Sequence, residues 1–222
     1  MARTKRKYFE LIRQLSNVVE PSKTDYKNIN WQQYFGNQNP IILELGCGDG
    51  DYVYALAKLC PNTNFIGVDI KGERIGKGAI LCKDMANVRF LQAQIENLGE
   101  FFEPNSISEI WITFADPQPN KPKKRLTSER FLAIYKKILT SSGIMHLKTD
   151  SKLLYDFTKS EKIEILQDFD NVYSQSTNLE LTQIQTKFEK KYLAQNLPIY
   201  YLKYENTKFD SKNRRKSNSQ GF

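Results

Sequence analysis

Histidine is almost absent from this chain: His146 is the only one among 222 residues. Cysteine is sparse as well. Cys47, Cys60 and Cys82 are odd in number and lack metal-ligand spacing, so neither a disulfide framework nor a zinc site is implied. No apolar run approaches the length of a membrane span, and Met1-Ala2-Arg3-Thr4-Lys5-Arg6-Lys7 lacks the apolar centre of a signal peptide. There is no internal repeat. What remains is a hydrophobic content of 40% and a charged content of 26%, the values of a soluble globular protein. The expected compartment is the cytoplasm. The length suits one α/β domain with a substantial core.

The net charge of +8 is concentrated at the ends. Residues 1–7 carry four basic groups and residues 208–222 carry five against the single acid Asp210, which accounts for the whole excess. Basic tails thicken binding to a polyanion but serve equally as solubilising ends. A third cluster, Lys121, Lys123, Lys124 and Arg125, points more directly to the phosphates of a polyanion because it follows a candidate active-site strand, with a solvated lysine-rich loop as the plainer reading.

That candidacy begins at Ile41-Ile42-Leu43-Glu44-Leu45-Gly46-Cys47-Gly48-Asp49-Gly50, an apolar run that breaks into three alternate glycines. It reads as a buried strand entering a tight turn, with a helix opening from Asp51 to Leu59. Asn64 to Asp69 reads as a second strand, and its terminal acid lies 23 residues beyond Gly46, placed to accept hydrogen bonds from ribose hydroxyls. Dinucleotide folds use G-x-G-x-x-G, whereas here the spacing is G-x-G-x-G and Asp51 stands at the third-glycine position. With Glu44 beside the turn, a cationic, phosphate-free ligand fits better than a pyrophosphate. S-adenosylmethionine, with its sulfonium and ammonium, is such a ligand; an ordinary glycine-rich turn is the bland alternative.

Helical spacing of apolar residues predicts an amphipathic helix over Tyr8 to Val19, stopped by Pro21. Further helices are expected over Lys71 to Met85 and Ser128 to Thr140, the latter ended by Ser142-Gly143. Strands are expected over Val88 to Ala93, Glu109 to Phe114, Ile144 to Lys148, Asp168 to Tyr173 and Ile199 to Tyr204. Alternating strands and helices argue for a parallel sheet covered on both faces. Ligands in such sheets sit at the carboxyl ends of the strands. Those ends carry Glu44, Asp69, Gln94 with Glu96, Asp116 and Asp150. Prolines after Asp116 keep that segment out of regular structure, as in a loop held open over a cofactor; a loop-capping aspartate is the plainer reading.

From about Pro40 to Asp150 the chain resembles a class I S-adenosylmethionine-dependent methyltransferase, and more narrowly the bacterial tRNA (guanine-N7)-methyltransferases. The narrow likeness rests on Gly67-Val68-Asp69-Ile70-Lys71 with Arg74-Ile75, on Phe114-Ala115-Asp116-Pro117-Gln118-Pro119, and on Lys124-Arg125-Leu126-Thr127. It continues through Leu147-Lys148-Thr149-Asp150, Thr186-Lys187-Phe188-Glu189 and Pro198-Ile199-Tyr200. The resemblance implies a single Rossmann-like domain with a mostly parallel seven-stranded sheet and helices on both faces. It spans residues 40–207, between a basic tail, helix and connector at 1–39 and a basic tail at 208–222 expected to be disordered. It further implies that Glu44, Gly46, Gly48, Asp69 and Gln94 bind the cofactor and that Asp116 touches it as the central catalytic residue. Lys121, Asp150, Thr186 and Glu189 match substrate-binding positions, and the target is a variable-loop guanine of tRNA.

Three departures from the family pattern stand out. Gln118 replaces the usual tryptophan after Asp-Pro, the basic loop is short and lacks histidine, and Gln94 stands where the family has an acid, with Glu96 two residues on. The chemistry tolerates them. Guanine N7 carries a lone pair and no proton, so in-line methyl transfer needs alignment rather than a strong base, a metal or a covalent nucleophile. His146 then reads as a packing residue. Thr186 and Glu189, three apart, also fit a helix capping box. The rivals are a methyltransferase acting on another base or small molecule, a non-catalytic RNA-binding protein, and a nucleotide-dependent oxidoreductase. Oligomeric state is not legible.

Overall fold

A computed structural model describes residues 10, 12–20, 29–176 and 179–206. The basic tails at 1–7 and 208–222 lie outside them. The apolar run at Ile41–Leu45 forms strand β2 at the centre of the sheet, where residues on both faces are buried and continuous hydrophobicity is the expected pattern. Along the chain follow α2 (Asp51–Leu59), β3 (Asn64–Asp69), α3 (Gly72–Leu81), β4 (Val88–Gln92) and β5 (Ile107–Thr113). The second half comprises α4 (Glu129–Ile138), β6 (Leu139–Thr149), α5 (Lys152–Ser160), β7 (Glu164–Phe169), α6 (Val172–Gln175), α7 (Leu179–Gln183), α8 (Lys187–Leu193) and β8 (Tyr200–Glu205). Ahead of them lie β1 (Val18–Val19) and α1 (Trp31–Phe35).

The strands form one sheet in the order β1-β4-β3-β2-β5-β6-β8-β7. Pairings from β1 through β6 are parallel, and β8 runs antiparallel to both β6 and β7. The chain reverses direction on either side of β2, so the crevice at the carboxyl ends of β2 and β5 is the topological switch point. Two apolar clusters pack the sheet. One joins Leu43, Ile110 and Met145 to Phe131 and Tyr135 of α4 and to Trp31 and Phe35 of α1. The other joins Phe65, Phe90 and Trp111 to Tyr52 and Val53 of α2 and to Ile75 of α3.

Eight strands rather than seven make up the sheet. The additional one, β1, lies inside the stretch whose periodicity predicts a helix up to Val19. Val18 and Val19 instead pair with Phe90 and Leu91 of β4. The Phe90 N–H donates to the Asn17 carbonyl at 2.8 Å, and the buried Asn17 amide donates to the Ala79 carbonyl near the end of α3 at 2.9 Å. Two β-branched residues beside an open strand edge override the local periodicity. Near the C-terminus the strand expected over Asp168 to Tyr173 lies at Glu164–Phe169. Asn171 ends that region by accepting the Tyr173 N–H at 3.1 Å, capping α6. β6 is also longer than expected. It starts at Leu139 and runs through Ser142-Gly143, so that pair interrupts no helix.

Candidate active site

The loop after β2 takes its shape from its glycines. Gly46, Gly48 and Gly50 have φ of 73°, 57° and 79°, the left-handed region that side chains rarely adopt. At Gly50 a Cβ would also lie 2.9 Å from the Phe90 ring and 3.0 Å from the Gly78 Cα, so the loop is seated directly on α3 and β4. Asp69, at the end of β3, locks it. One carboxylate oxygen accepts the Gly48 N–H at 3.1 Å, the other the Lys71 N–H at 2.8 Å. Each oxygen keeps lone-pair capacity for a further donor, as a ribose diol would need.

Glu44 is more deeply set than an acceptor at a turn. It is 3% exposed, with one oxygen taking the Thr113 hydroxyl and the other the Val53 N–H at 3.1 Å. It therefore ties β2 to β5 and to the first turn of α2 while lining the crevice. Burial raises its carboxyl from 4.5 to about 8, against the lowering pull of Thr113 and Val53. The folded chain then holds a proton that the unfolded chain releases, so folding stability falls as pH rises between those two values. Comparing urea denaturation at pH 5 and pH 8 should show this loss in the wild type. The Glu44→Gln variant should show a flatter profile; identical profiles would mean that Glu44 is ionised throughout.

Strand β5 ends in a strained turn. Phe114 and Gln118 have φ of 48° and 45°, unusual for non-glycine residues and a form of strain that clusters at functional sites. Between them Asp116 is exposed, steadied by the Gln118 N–H at 2.9 Å. Arg125 holds the loop from behind. It is 5% exposed and donates to the carbonyls of Pro117 at 2.9 Å and Pro119 at 3.4 Å, with its guanidinium 4.4 Å from the Phe157 ring centroid. Arg125 is thus a loop fastener, and the expectation that it holds phosphate is corrected. Lys121, Lys123 and Lys124 are exposed; Lys124 lines the crevice and Lys121 does not.

Two cavities, of about 410 and 430 Å³, meet at Gly46, Lys71, Arg74 and Phe114–Asp116. The first contains Asp69, Ile70, Gln94 and Glu96. Glu96 is paired with Arg130 at 3.5 Å, while Gln94 is exposed. The second contains Glu44, Gly48, Asp150 and Thr186. Burial raises the Asp150 carboxyl, countered by hydrogen bonds from its own backbone and the Tyr192 hydroxyl. Thr186 caps α8, accepting the Glu189 N–H at 3.2 Å as the capping-box spacing predicts.

Glu189, by contrast, faces the core and lines neither cavity. It is fully buried, 2.7 Å from the Lys148 ammonium, and accepts the Tyr173 hydroxyl at 2.8 Å. The structure therefore brings Thr186 to the crevice and sets Glu189 beneath it. His146 is buried and stacked on Trp111 with centroids 3.9 Å apart, between Tyr201 and Glu109, as a packing histidine would be. Thr113 and Lys148 escape the sequence reading as site supports. A lysine inside an apolar strand does signal a buried partner, but sequence gives no way to choose which acid.

Strand order and crevice are those of a class I methyltransferase. The chain is 12% identical to the 16S rRNA methyltransferase KamB, with a TM-score of 0.62 over 81% of this chain and 94% of that one. It is 20% identical to a structure described as an antibiotic-related methyltransferase, with a TM-score of 0.56 over 81% and 96%. Residues 38–202 match a family model described as putative methyltransferase. At the level of sequence the chain belongs to the tRNA (guanine-N7)-methyltransferase family. It is 40% identical to the tRNA (guanine-N(7)-)-methyltransferase of Cytophaga hutchinsonii over 92% of this chain and 98% of that protein. The counterpart in Bacteroides thetaiotaomicron is 42% identical over 85% and 77%. Among the described residues no helix is long and apolar enough to cross a membrane, and no group of potential ligands is arranged to hold a metal.

Proposed function

We propose that this chain is a cytoplasmic enzyme that transfers the methyl group of S-adenosylmethionine to N7 of a variable-loop guanine in tRNA. The observation that carries this reading is the position of Asp116, an exposed carboxylate on a strained loop where the two cavities meet. The cofactor fits the residues present. Asp69 has acceptor capacity for a ribose diol, Gln94 offers an amide to an adenine edge, and Asp51, Asp116 and Asp150 make the second cavity acidic, with Glu44 also lining it, as suits a sulfonium and an ammonium. When bound, S-adenosylmethionine supplies an electrophilic methyl group on sulfur. Asp116 accepts hydrogen bonds from the guanine N1–H and N2–H and orients N7 along the line of attack. Its charge also stabilises the positive charge that develops on the purine. Guanine N7 would accept that methyl group through its lone pair with no proton to lose, so the chain's residues need only align the base. Thr186 and Asp150 border the same space, and Lys121 would hold backbone phosphate outside it. We assign the methyltransferase domain to 40–207, with Trp31 and Phe35 of α1 packed into the same core.

Incubation with methyl-labelled S-adenosylmethionine and unmodified tRNA, followed by digestion to nucleosides, should place the label in 7-methylguanosine. Label in another nucleoside would keep the enzyme class and discard the base assignment.

A further inference from the structure

The interior of the crevice is acidic, with Asp51, Asp116 and Asp150 around one cavity. That charge suits a cationic cofactor and the N–H edge of guanine, yet it opposes the approach of a polyanion. Cations at the mouth are therefore needed, and the structure has a pair opposite the basic loop. Lys71 and Arg74, at the start of α3, line both crevice cavities and a third of about 570 Å³ that adjoins them. The acids nearest in that third cavity are already engaged: Asp49 with Lys187, and Glu73 with Lys77 at 3.1 Å. Among the described residues neither Lys71 nor Arg74 forms an ion pair. The Arg74 guanidinium reaches over the glycine loop, with Nη1 3.8 Å from where a Cβ on Gly48 would lie. Across the opening, Lys124 lines the same cavity as Lys71 and Arg74. Ile70 and Phe188, 56% and 44% exposed, add apolar surface to the third cavity. Exposed apolar and aromatic side chains beside cations are the combination that holds a single strand, the bases on the former and the backbone on the latter.

We propose that Arg74, with Lys71, is a phosphate-binding site for the RNA strand at the crevice mouth, so that the backbone is held between α3 and the Lys124 loop. The guanidinium fork matches a phosphate in two-point contact, and the ammonium adds a point charge. This inference rests on the reading of the substrate as tRNA. Its test is tRNA binding by the full chain, followed by fluorescence anisotropy across a range of salt concentrations, with S-adenosylmethionine binding followed by calorimetry. The Arg74→Gln/Lys71→Gln double variant should bind tRNA about tenfold more weakly, and the slope of log affinity against log salt should shrink by roughly 0.7–1 per cation removed. Cofactor affinity should fall much less than tRNA affinity, melting temperature should stay at the wild-type value, and Arg74→Lys should recover part of the loss in tRNA binding. Unchanged tRNA affinity and slope would overturn the proposal. So would weakened cofactor binding with tRNA binding intact, which would assign the pair to the cofactor carboxylate. Wild-type protein that binds no tRNA would instead sink the reading of the substrate itself, and this site with it.

Discussion

Replacing Asp116 by alanine should lower kcat by about 10²–10⁴-fold while tRNA affinity changes less than about threefold. The magnitude follows from two hydrogen bonds to a charged acceptor, each contributing about 1.5–3 kcal/mol when donor and acceptor are held out of water. The split between rate and binding follows from where each energy resides. Phosphate contacts spread over a large RNA supply most of the affinity. The carboxylate acts on one base and gains strength as the purine becomes positively charged, so its energy appears in the transition state. Asp116→Asn should be nearly as impaired, because the amide keeps one acceptor but turns an N–H toward the guanine N–H edge. Asp116→Ala also loses the acceptor of the Gln118 N–H, but the turn should hold in both variants because Arg125 still clasps the carbonyls of Pro117 and Pro119. Single-turnover kinetics, with enzyme in saturating excess over tRNA, reads the rate of the transfer step free of product release. Turnover within a few fold of wild type would remove Asp116 from its assigned role.

Much of this site can be read in the chain because its determinants are local. A glycine turn needs its glycines whatever surrounds it, and an acid at the tip of a strand follows from counting along the strand. Gly46, Gly48, Asp69 and Asp116 all reach the crevice for that reason. The central strands are legible through continuous burial. β7 is less so: nearly all its residues are exposed, so neither face imposes an apolar pattern, and its position is fixed by pairing with β8. β1 is harder still, since two residues gain strand character only from the β4 edge. The partners of buried polar groups are the least legible of all. Glu44 meets Thr113, 69 residues away, and Lys148 meets Glu189, 41 residues away. Spacing says that such groups need partners without saying which.

Lys148 shows what that long-range pairing is worth. The ammonium is fully buried and gives its three hydrogens to the Leu181 carbonyl at 2.6 Å, the Ile184 carbonyl at 3.1 Å and the Glu189 carboxylate at 2.7 Å. Burial pulls both side chains toward their neutral forms, lowering the lysine and raising the glutamate. Three oxygens around one nitrogen favour the ammonium, which gives a hydrogen to each, over a neutral amine, which has only two to donate. A single residue of β6 thus fastens α7, the turn after it and the first turn of α8 to the sheet, and with them Thr186 and Lys187 at the crevice. Lys148→Met keeps the length of the side chain but leaves Glu189 buried without its counter-charge and two carbonyls without a donor. Breaking a buried pair in this way costs about 3–5 kcal/mol, which for a chain of this size lowers Tm by roughly 6–20 °C. Adding Glu189→Gln removes the stranded charge, so the double variant should be more stable than the sum of the two single losses implies. Thermal unfolding of the four proteins measures that coupling. Additive losses would mean that the pair contributes no more than two separate buried groups, and that the Thr186 segment is held by its apolar contacts instead.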